Sequence, residues 1–231
     1  MVQGRPVKLS VIMPVYNERA TVEATLRRVR AVDLDKEVIA VDDGSTDGSG
    51  EMLDRMRQEG VIVIHQPQNM GKGMAIRAAL PQVSGEIVII QDADGEYEPQ
   101  EYPSLIQPIV EGRTAVVYGS RFRGSIVGMR WPNVLINRIL AWMANVLFGA
   151  RITDEATCYK VFRADVLKSL PLRCTGFEFC PEITARLLKR GYRIVEVPIT
   201  YRARSVEEGK KINWRDGVRA IWTLLKYRFT D

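Results

Sequence analysis

Two carboxylates stand one residue apart at Asp92-Ala93-Asp94, directly after the apolar run 86–90. Acids at the end of a buried strand repel each other and lose hydration, so something must compensate them. A hard divalent cation, Mg²⁺ or Mn²⁺, does this and also clamps a diphosphate. Acting as a Lewis acid, it neutralises charge growing on a departing nucleoside diphosphate. Glu96, two positions on, extends the cluster to Asp92, Asp94 and Glu96 as candidate metal ligands. Taken alone, the pair equally fits a solvated turn at a strand end.

Three further clusters have the same ambiguity. Asp42-Asp43-Gly44-Ser45 presents carboxylates able to accept hydrogen bonds from a base or ribose, or it is a turn with Asp47 capping the next helix. Asn69-x-Gly71-Lys72-Gly73 resembles a phosphate cradle with Lys72 near a diphosphate, but lacks the full Walker spacing and also reads as a glycine turn into a helix. Arg121, Arg123, Arg130 and Arg138, and later Arg202, Arg204, Lys210 and Lys211, suit phosphate binding or simple solvation. Arg138 differs because it lies within a mostly apolar helix, where an unpaired charge is costly. It is expected to meet an anion or a carboxylate.

The elements that must position these residues alternate. Strands are predicted at 8–14, 37–41, 61–64, 86–90 and 115–118. Helices are predicted at 18–32 (with Asn17 as cap), 47–58, 74–83 and onward from Pro99. Continuous apolar strands separated by helices imply an α/β architecture with a mostly parallel sheet covered on both faces. Ligands then sit beyond the carboxyl ends of the strands, where the polar clusters converge. The second half carries an apolar helix at 131–148 with a polar seam of Asn133, Asn137, Arg138 and Asn145. It continues with extended structure at 153–162, a helix at 176–190, and a strand at 193–201 that Pro198 confines to an edge or an irregularity. A last amphipathic helix, 212–229, carries Trp214, Val218, Ile221, Trp222, Leu225 and Phe229 on one stripe, with Arg215, Arg219 and Lys226 away from it. Both helices either pack on the sheet or rest on a membrane. Without a linker or repeat, residues 1–231 are expected to form one domain, with a nucleotide-binding half at 1–120 and an acceptor half at 121–231.

Composition removes several functional classes. The 231 residues are 46% hydrophobic and 26% charged, as in ordinary globular proteins. The net charge of +5 suits an anionic partner, yet no nucleic-acid recognition motif or concentrated basic stripe accompanies it, so nucleic acid is not expected. A single histidine, His65, gives a His-based triad little to stand on, and it reads as a strand-end residue. Cys158, Cys174 and Cys180 form no CxxC pair and read as free thiols. The N-terminal residues lack a signal-peptide core, and no run of about 20 apolar residues occurs. The expected location is cytoplasmic, with peripheral contact on the membrane face.

In combination and in this order, the motifs resemble glycosyltransferase family 2. The resemblance rests on Pro14-Val-Tyr16-Asn17-Glu18, on Val41-Asp42-Asp43-Gly44-Ser45-Thr46-Asp47-Gly48, on Asn69-x-Gly71-Lys72-Gly73 and on Gln91-Asp92-Ala93-Asp94. Within the family the chain is most similar to the polyprenyl-phosphate (dolichyl-phosphate) sugar transferases, through Gly119-Ser120-Arg121, Thr153-Asp154 and the stretch Cys158 to Arg163. The resemblance implies a Rossmann-like GT-A fold, an inverting mechanism and a nucleotide-diphosphate sugar donor, a GDP- or UDP-hexose. It implies Pro14, Tyr16, Glu18 and Asp43 around the nucleoside, and Asp92, Asp94 and Glu96 on the metal, although the family often has glutamine at the third position. It also implies Arg121 and Arg138 on the acceptor phosphate, with Arg204 and one of Lys210 and Lys211 on the donor diphosphate.

The resulting expectation is transfer of mannose or glucose to a polyprenyl phosphate. A phosphate nucleophile is already anionic, so no strong base is needed, and Asp94, Arg121, Arg138 and Asp154 form the reacting centre. Asp154 orients the acceptor or supports the site. The rival readings are a same-fold transferase acting on a hydroxyl, for which Asp154 would be the base, and a catalytically silent nucleotide-sugar binder.

Overall fold

The computed structural model describes residues 7–204 and 214–230. The apolar runs become strands β1 (Leu9–Val15), β2 (Lys36–Asp42), β3 (Ile62–His65) and β4 (Ile87–Ile90), with β5 at Val116–Val127, β6 at Lys160–Arg163 and β7 at Ile194–Arg202. They form a seven-stranded sheet in the order β3-β2-β1-β4-β6-β5-β7. β1, β2, β3 and β4 are parallel, and β7 runs parallel to β5. β6 is antiparallel to both β4 and β5. The helices are α1 (Val22–Arg30), α2 (Ser49–Arg57), α3 (Lys72–Ala79), α4 (Tyr102–Val110), α5 (Trp131–Phe148), α6 (Ala164–Ser169), α7 (Phe179–Lys189) and α8 (Trp214–Phe229). All four β4 side chains are buried, as two covered faces require. Pro198 stands on edge strand β7, where its missing N–H costs least.

Three expectations need correction, and one element was not anticipated. Asn17 does not cap α1: it sits at φ 49°, its Oδ1 accepts from the Thr46 amide, and the helix starts only at Val22, behind Thr21. The segment 153–162 is strand only from Lys160, because Asp154 and Thr153 spend their polar groups on side chains rather than on a ladder. The short helix α6 follows β6 without a clear amphipathic pattern to announce it. Strand β5 runs nine residues past Tyr118, because a bulge between Ser120 and Ser125 lets it re-pair with β7. Bulges of this kind re-aim side chains beside active sites, and Arg121 lies in this one.

Helices α5 and α8 pack on each other and on α7, around a small second core of Leu140, Ala144, Ile152, Ala220 and Leu224. Each helix is apolar on two opposite faces. Trp131, Leu135, Ile139, Trp142 and Val146 of α5, and Val218, Trp222 and Phe229 of α8, face outward. Of the two readings for the α8 stripe, packing on the sheet or facing a membrane, its residues Val218, Trp222 and Phe229 do not follow the first. Arg215, Arg219 and Lys226 are exposed, and at 3.6 residues per turn they border that stripe rather than opposing it.

His65 ends β3 between two acids, with Nδ1 2.9 Å from Asp42 Oδ2 and Nε2 3.1 Å from Asp54 Oδ1. The Asp42 hydrogen bond, reinforced by Asp54, lifts its pKa above 6.5 against the opposing effect of burial. Folding therefore favours the protonated ring. That stabilisation is complete below the unfolded value and is lost as pH rises through the folded one. For so exposed a pair it amounts to about 0.5–1 kcal/mol. His65→Gln should lower the melting temperature by about 2 °C at pH 5.5 and barely change it at pH 9. Equal losses at both values would disprove the ion-pair account. A second prediction concerns the bulge. A Cβ on Gly124 would lie 2.1 Å from the Ile199 carbonyl oxygen and 2.6 Å from its nitrogen, both backbone atoms. Gly124→Ala should cost about 2 kcal/mol in denaturant unfolding, as overpacking does.

Candidate active site

The parallel strands deliver their acids to one edge. Asp92 leaves β4 and its Oδ1 lies 2.5 Å from Lys72 Nζ, at the start of α3. Burial opposes charge on Lys72, but the Asp92 carboxylate outweighs it and raises the lysine pKa. Asp94 Oδ1 accepts from the Glu96 amide at 3.1 Å, and its Oδ2 lies 3.8 Å from Arg204 Nη2. Burial, with Asp92 and Glu96 adding repulsion that the Glu96 amide and then Arg204 only partly relieve, pushes the Asp94 pKa up to about 7. Arg204 makes a bidentate pair with Glu18, both contacts at 2.8 Å. Glu18 follows β1, and its amide donates to Ser49 Oγ of α2. Residues from β1, β4, α3 and the segment after β7 thus meet around one acidic centre. Pro14 and Tyr16 lie partly buried along the same rim, whereas Lys210 and Lys211 lie outside the described residues.

Glu96 departs from its expected role. Its Oε1 accepts from the Arg204 amide at 2.8 Å and its Oε2 from Tyr201 OH at 2.7 Å. Both oxygens help to fasten the end of β7, and no group of three ligating side chains suited to a metal occurs among the described residues. Asp92 and Asp94 do fit a cation. The Asp94 carboxyl holds its proton toward neutrality because the local charge is uncompensated, and a cation would compensate it.

The glycine loop is also corrected. The Met70 and Gly71 amides donate to Asp43 Oδ1 and Oδ2 at 2.7 and 2.8 Å, so these N–H groups are not free to cradle phosphate. Gly71 has φ 93°, and a Cβ there would lie 2.5 Å from the Thr175 carbonyl oxygen. The loop is glycine-rich in order to approach the 174–176 backbone. Asp43 is buried, which raises its pKa, while the two amides pull it down. Asp42 is engaged in parallel, accepting from the Ser45 amide at 3.0 Å besides its contact with His65. Asp47 accepts from the Ser49 amide at 2.9 Å at the start of α2.

A second cluster adjoins the first. Arg121 is buried and makes a bidentate pair with Asp154: Nε to Oδ2 at 2.7 Å and Nη2 to Oδ1 at 2.7 Å, with its own amide on Oδ2 at 3.0 Å. Its Nη1 has no protein acceptor among the described residues. The guanidinium lies 5.1 Å from the Tyr201 ring, whose hydroxyl binds Glu96, so an aromatic residue joins the two clusters. Arg138 was expected to meet an anion or a carboxylate because its helix is mostly apolar. It is instead exposed, its guanidinium 4.2 Å from the Phe122 ring, because that helix surface faces outward. Phe122 also lies 6.0 Å from Arg121, so both arginines flank one phenyl group. Phe122 and Tyr201 escaped the sequence reading because an isolated aromatic carries no spacing signal. Cys158 Sγ is buried 3.8 Å from Lys72 Nζ, and burial raises its pKa well above the ordinary thiol value, which argues against a nucleophile.

The family model described as "Glycosyl transferase family 2" matches residues 10–170. An undecaprenyl-phosphate mannosyltransferase of Micrococcus luteus is 31% identical over 217 residues, covering 88% of this chain and 87% of the relative. A polyprenol monophosphomannose synthase of Mycolicibacterium smegmatis is 28% identical over 211 residues, covering 87% of this chain and 79% of the relative. Among solved structures, glucosyl-3-phosphoglycerate synthase from Mycobacterium tuberculosis, in complex with Mn²⁺, uridine diphosphate and phosphoglyceric acid, superposes with TM-score 0.75 at 25% identity. That match covers 99% of this chain and 80% of the other. The motifs, the sheet and these comparisons agree: the chain belongs to glycosyl transferase family 2 and has the α/β GT-A fold.

Proposed function

We propose that this protein transfers a hexose, mannose or glucose, from a GDP- or UDP-sugar to a polyprenyl phosphate with inversion at the anomeric carbon. The relatives named for undecaprenyl-phosphate and polyprenol substrates support the acceptor class. One observation carries the reading: Arg121 is held rigidly by Asp154 while its Nη1 is left without a protein acceptor, with Arg138 on the other side of Phe122. Two guanidinium groups beside the acidic centre suit a phosphate that brings its own negative charge. The hydroxyl-acceptor reading needs a base. Asp154, its candidate, is wholly buried and fully used by Arg121, which counts against it. A small phosphorylated acceptor would meet the same arginines, and the structural relative with phosphoglyceric acid keeps that as a second reading. Competition between short polyprenyl phosphate and phosphoglycerate separates the two.

Asp92 and Asp94 would hold Mg²⁺ or Mn²⁺, and when bound the ion would neutralise charge on the leaving nucleoside diphosphate. Lys72 orients Asp92 through their ion pair. Arg204, paired with Glu18 before the donor arrives, would turn toward the diphosphate. Pro14, Tyr16 and Glu18 would border the nucleoside. Asp42 and Asp43 would act mainly by fixing the loops around it. Rate acceleration would come from positioning and charge stabilisation rather than from proton transfer.

The outward apolar stripes of α5 and α8, bordered by exposed Arg138, Arg215, Arg219 and Lys226, favour peripheral seating on an anionic cytoplasmic membrane face. No helix among the described residues is long and apolar enough to cross a membrane.

Two experiments test these assignments. Asp94→Asn should reduce transfer to short polyprenyl phosphate by about 10²-fold or more and abolish metal-dependent thermal stabilisation by the sugar nucleotide. Full activity in that variant would reject the metal role. The double variant Trp142→Glu/Trp222→Glu, at side chains 62% and 66% exposed, should keep the melting temperature but lose co-sedimentation with anionic phospholipid vesicles. Unchanged vesicle binding would exclude this face as the contact.

A further inference from the structure

Asp154 is held from behind by a residue that neither the motifs nor the comparisons single out. Glu196, on β7, is buried, and its carboxylate takes three hydrogen bonds from one short segment. Oε1 accepts from the Thr153 amide at 2.7 Å and the Asp154 amide at 3.0 Å, and Oε2 accepts from the Thr153 hydroxyl at 2.9 Å. The direction of the rest follows. Thr153 gives its only hydroxyl proton to Glu196, so Ser120 must be the donor in the 2.6 Å Ser120–Thr153 contact. Ser120 Oγ in turn accepts from the Arg123 amide at 3.2 Å. The chain of bonds therefore runs from the β5 bulge through two hydroxyls to a single carboxylate.

This arrangement locks both partners of the Arg121–Asp154 pair. Glu196 fixes the backbone of Asp154 directly and, through Thr153 and Ser120, the strand segment that carries Arg121. A second buried charge steadies the far side of the same loop: Lys160 Nζ donates to the Glu155 and Thr157 carbonyls at 2.6 and 2.8 Å. Glu196 itself lines a cleft of about 490 Å³ that also contains Arg123, Arg151 and Arg193. Water can enter there, so shortening Glu196 need not leave its partner amides dry.

We propose that Glu196 is a positioning residue for the acceptor, setting the aim of Arg121 through Asp154; the proposal rests on the reading of Arg121 as an acceptor-phosphate ligand. A bidentate pair held at both ends loses its aim when one end is released, and the loss should fall on the acceptor rather than on the donor.

The test is steady-state kinetics with short polyprenyl phosphate and the sugar nucleotide that supports transfer, alongside melting temperatures. Glu196→Ala should raise the acceptor KM about tenfold, leave the donor KM unchanged and shift melting by only a few degrees. Glu196→Gln should restore most of the acceptor KM, because its amide oxygen can accept both N–H groups while its NH₂ donates to Thr153. In Arg121→Ala the further change Glu196→Ala should add little, since the two act as one unit. Thr153→Val, which removes only the hydroxyl link, should raise the acceptor KM about threefold and decides the matter if Glu196→Ala does not fold. An unchanged acceptor KM in Glu196→Ala, or in Thr153→Val where the former is unfolded, overturns the proposal. So does equal damage to both substrates, or the same loss in the glutamine and alanine variants. If Arg121→Ala itself shows normal acceptor KM, the acceptor-phosphate reading fails first. If only Arg121→Ala is impaired, that reading stands and the role of Glu196 falls.

Discussion

The constraint that organises this molecule is negative charge buried where parallel strands end. Glu18, Asp92, Asp94 and Glu96 converge on one edge, where Lys72 and Arg204 meet them among the described residues. Every carboxylate there is taken out of water against its preference. Among the described residues, Lys72, Arg204 and hydrogen bonds offset part of this, while burial and the neighbouring Asp92 and Glu96 raise the Asp94 pKa. A site built this way is stable enough to fold yet retains a standing demand for positive charge.

A contrasting cluster stands beside it. Arg121 and Asp154 offset each other's charge, and the excess there is cationic once exposed Arg138 is included. One edge of the sheet thus offers adjoining regions of opposite character, joined by Tyr201. Two anionic reactants brought together would otherwise repel. In the proposed transfer, the electropositive cluster and a cation at the acidic one would give each a place to settle.

Strands β1 to β4 were legible in the sequence because burial on both faces writes them as uninterrupted apolar runs, and the acids following them were legible because strand ends collect ligands. Three features were not. The glycine loop looks like a phosphate cradle in one dimension, but its amides are claimed by Asp43, a residue 27 positions away from Met70. Glu96 continues the acidic motif by spacing, yet Tyr201 and Arg204, which occupy it, come from over a hundred residues downstream. The helical stripes of α5 and α8 were read correctly as apolar, but periodicity cannot say which of two apolar faces turns inward. The same holds for Arg138: of the anion or carboxylate expected for it, the carboxylate is not needed, because it lies on a surface. Long-range side-chain pairing, rather than local propensity, accounts for these differences.

Strand β6 has a consequence for how the chain must assemble. It comes from residues 160–163 yet lies between β4 and β5, which precede it in sequence and do not touch each other along that edge. Until it arrives, both neighbours present unpaired backbone, and the sheet remains two separate pieces. The first 150 residues therefore cannot settle into a finished structure on the ribosome and wait for the remainder. Completion is a late, non-local event, of the kind that slows folding and lengthens exposure to aggregation. The antiparallel insert ties the β1–β4 strands and the β5–β7 pair into one cooperative sheet, so neither reaches its final form before the other.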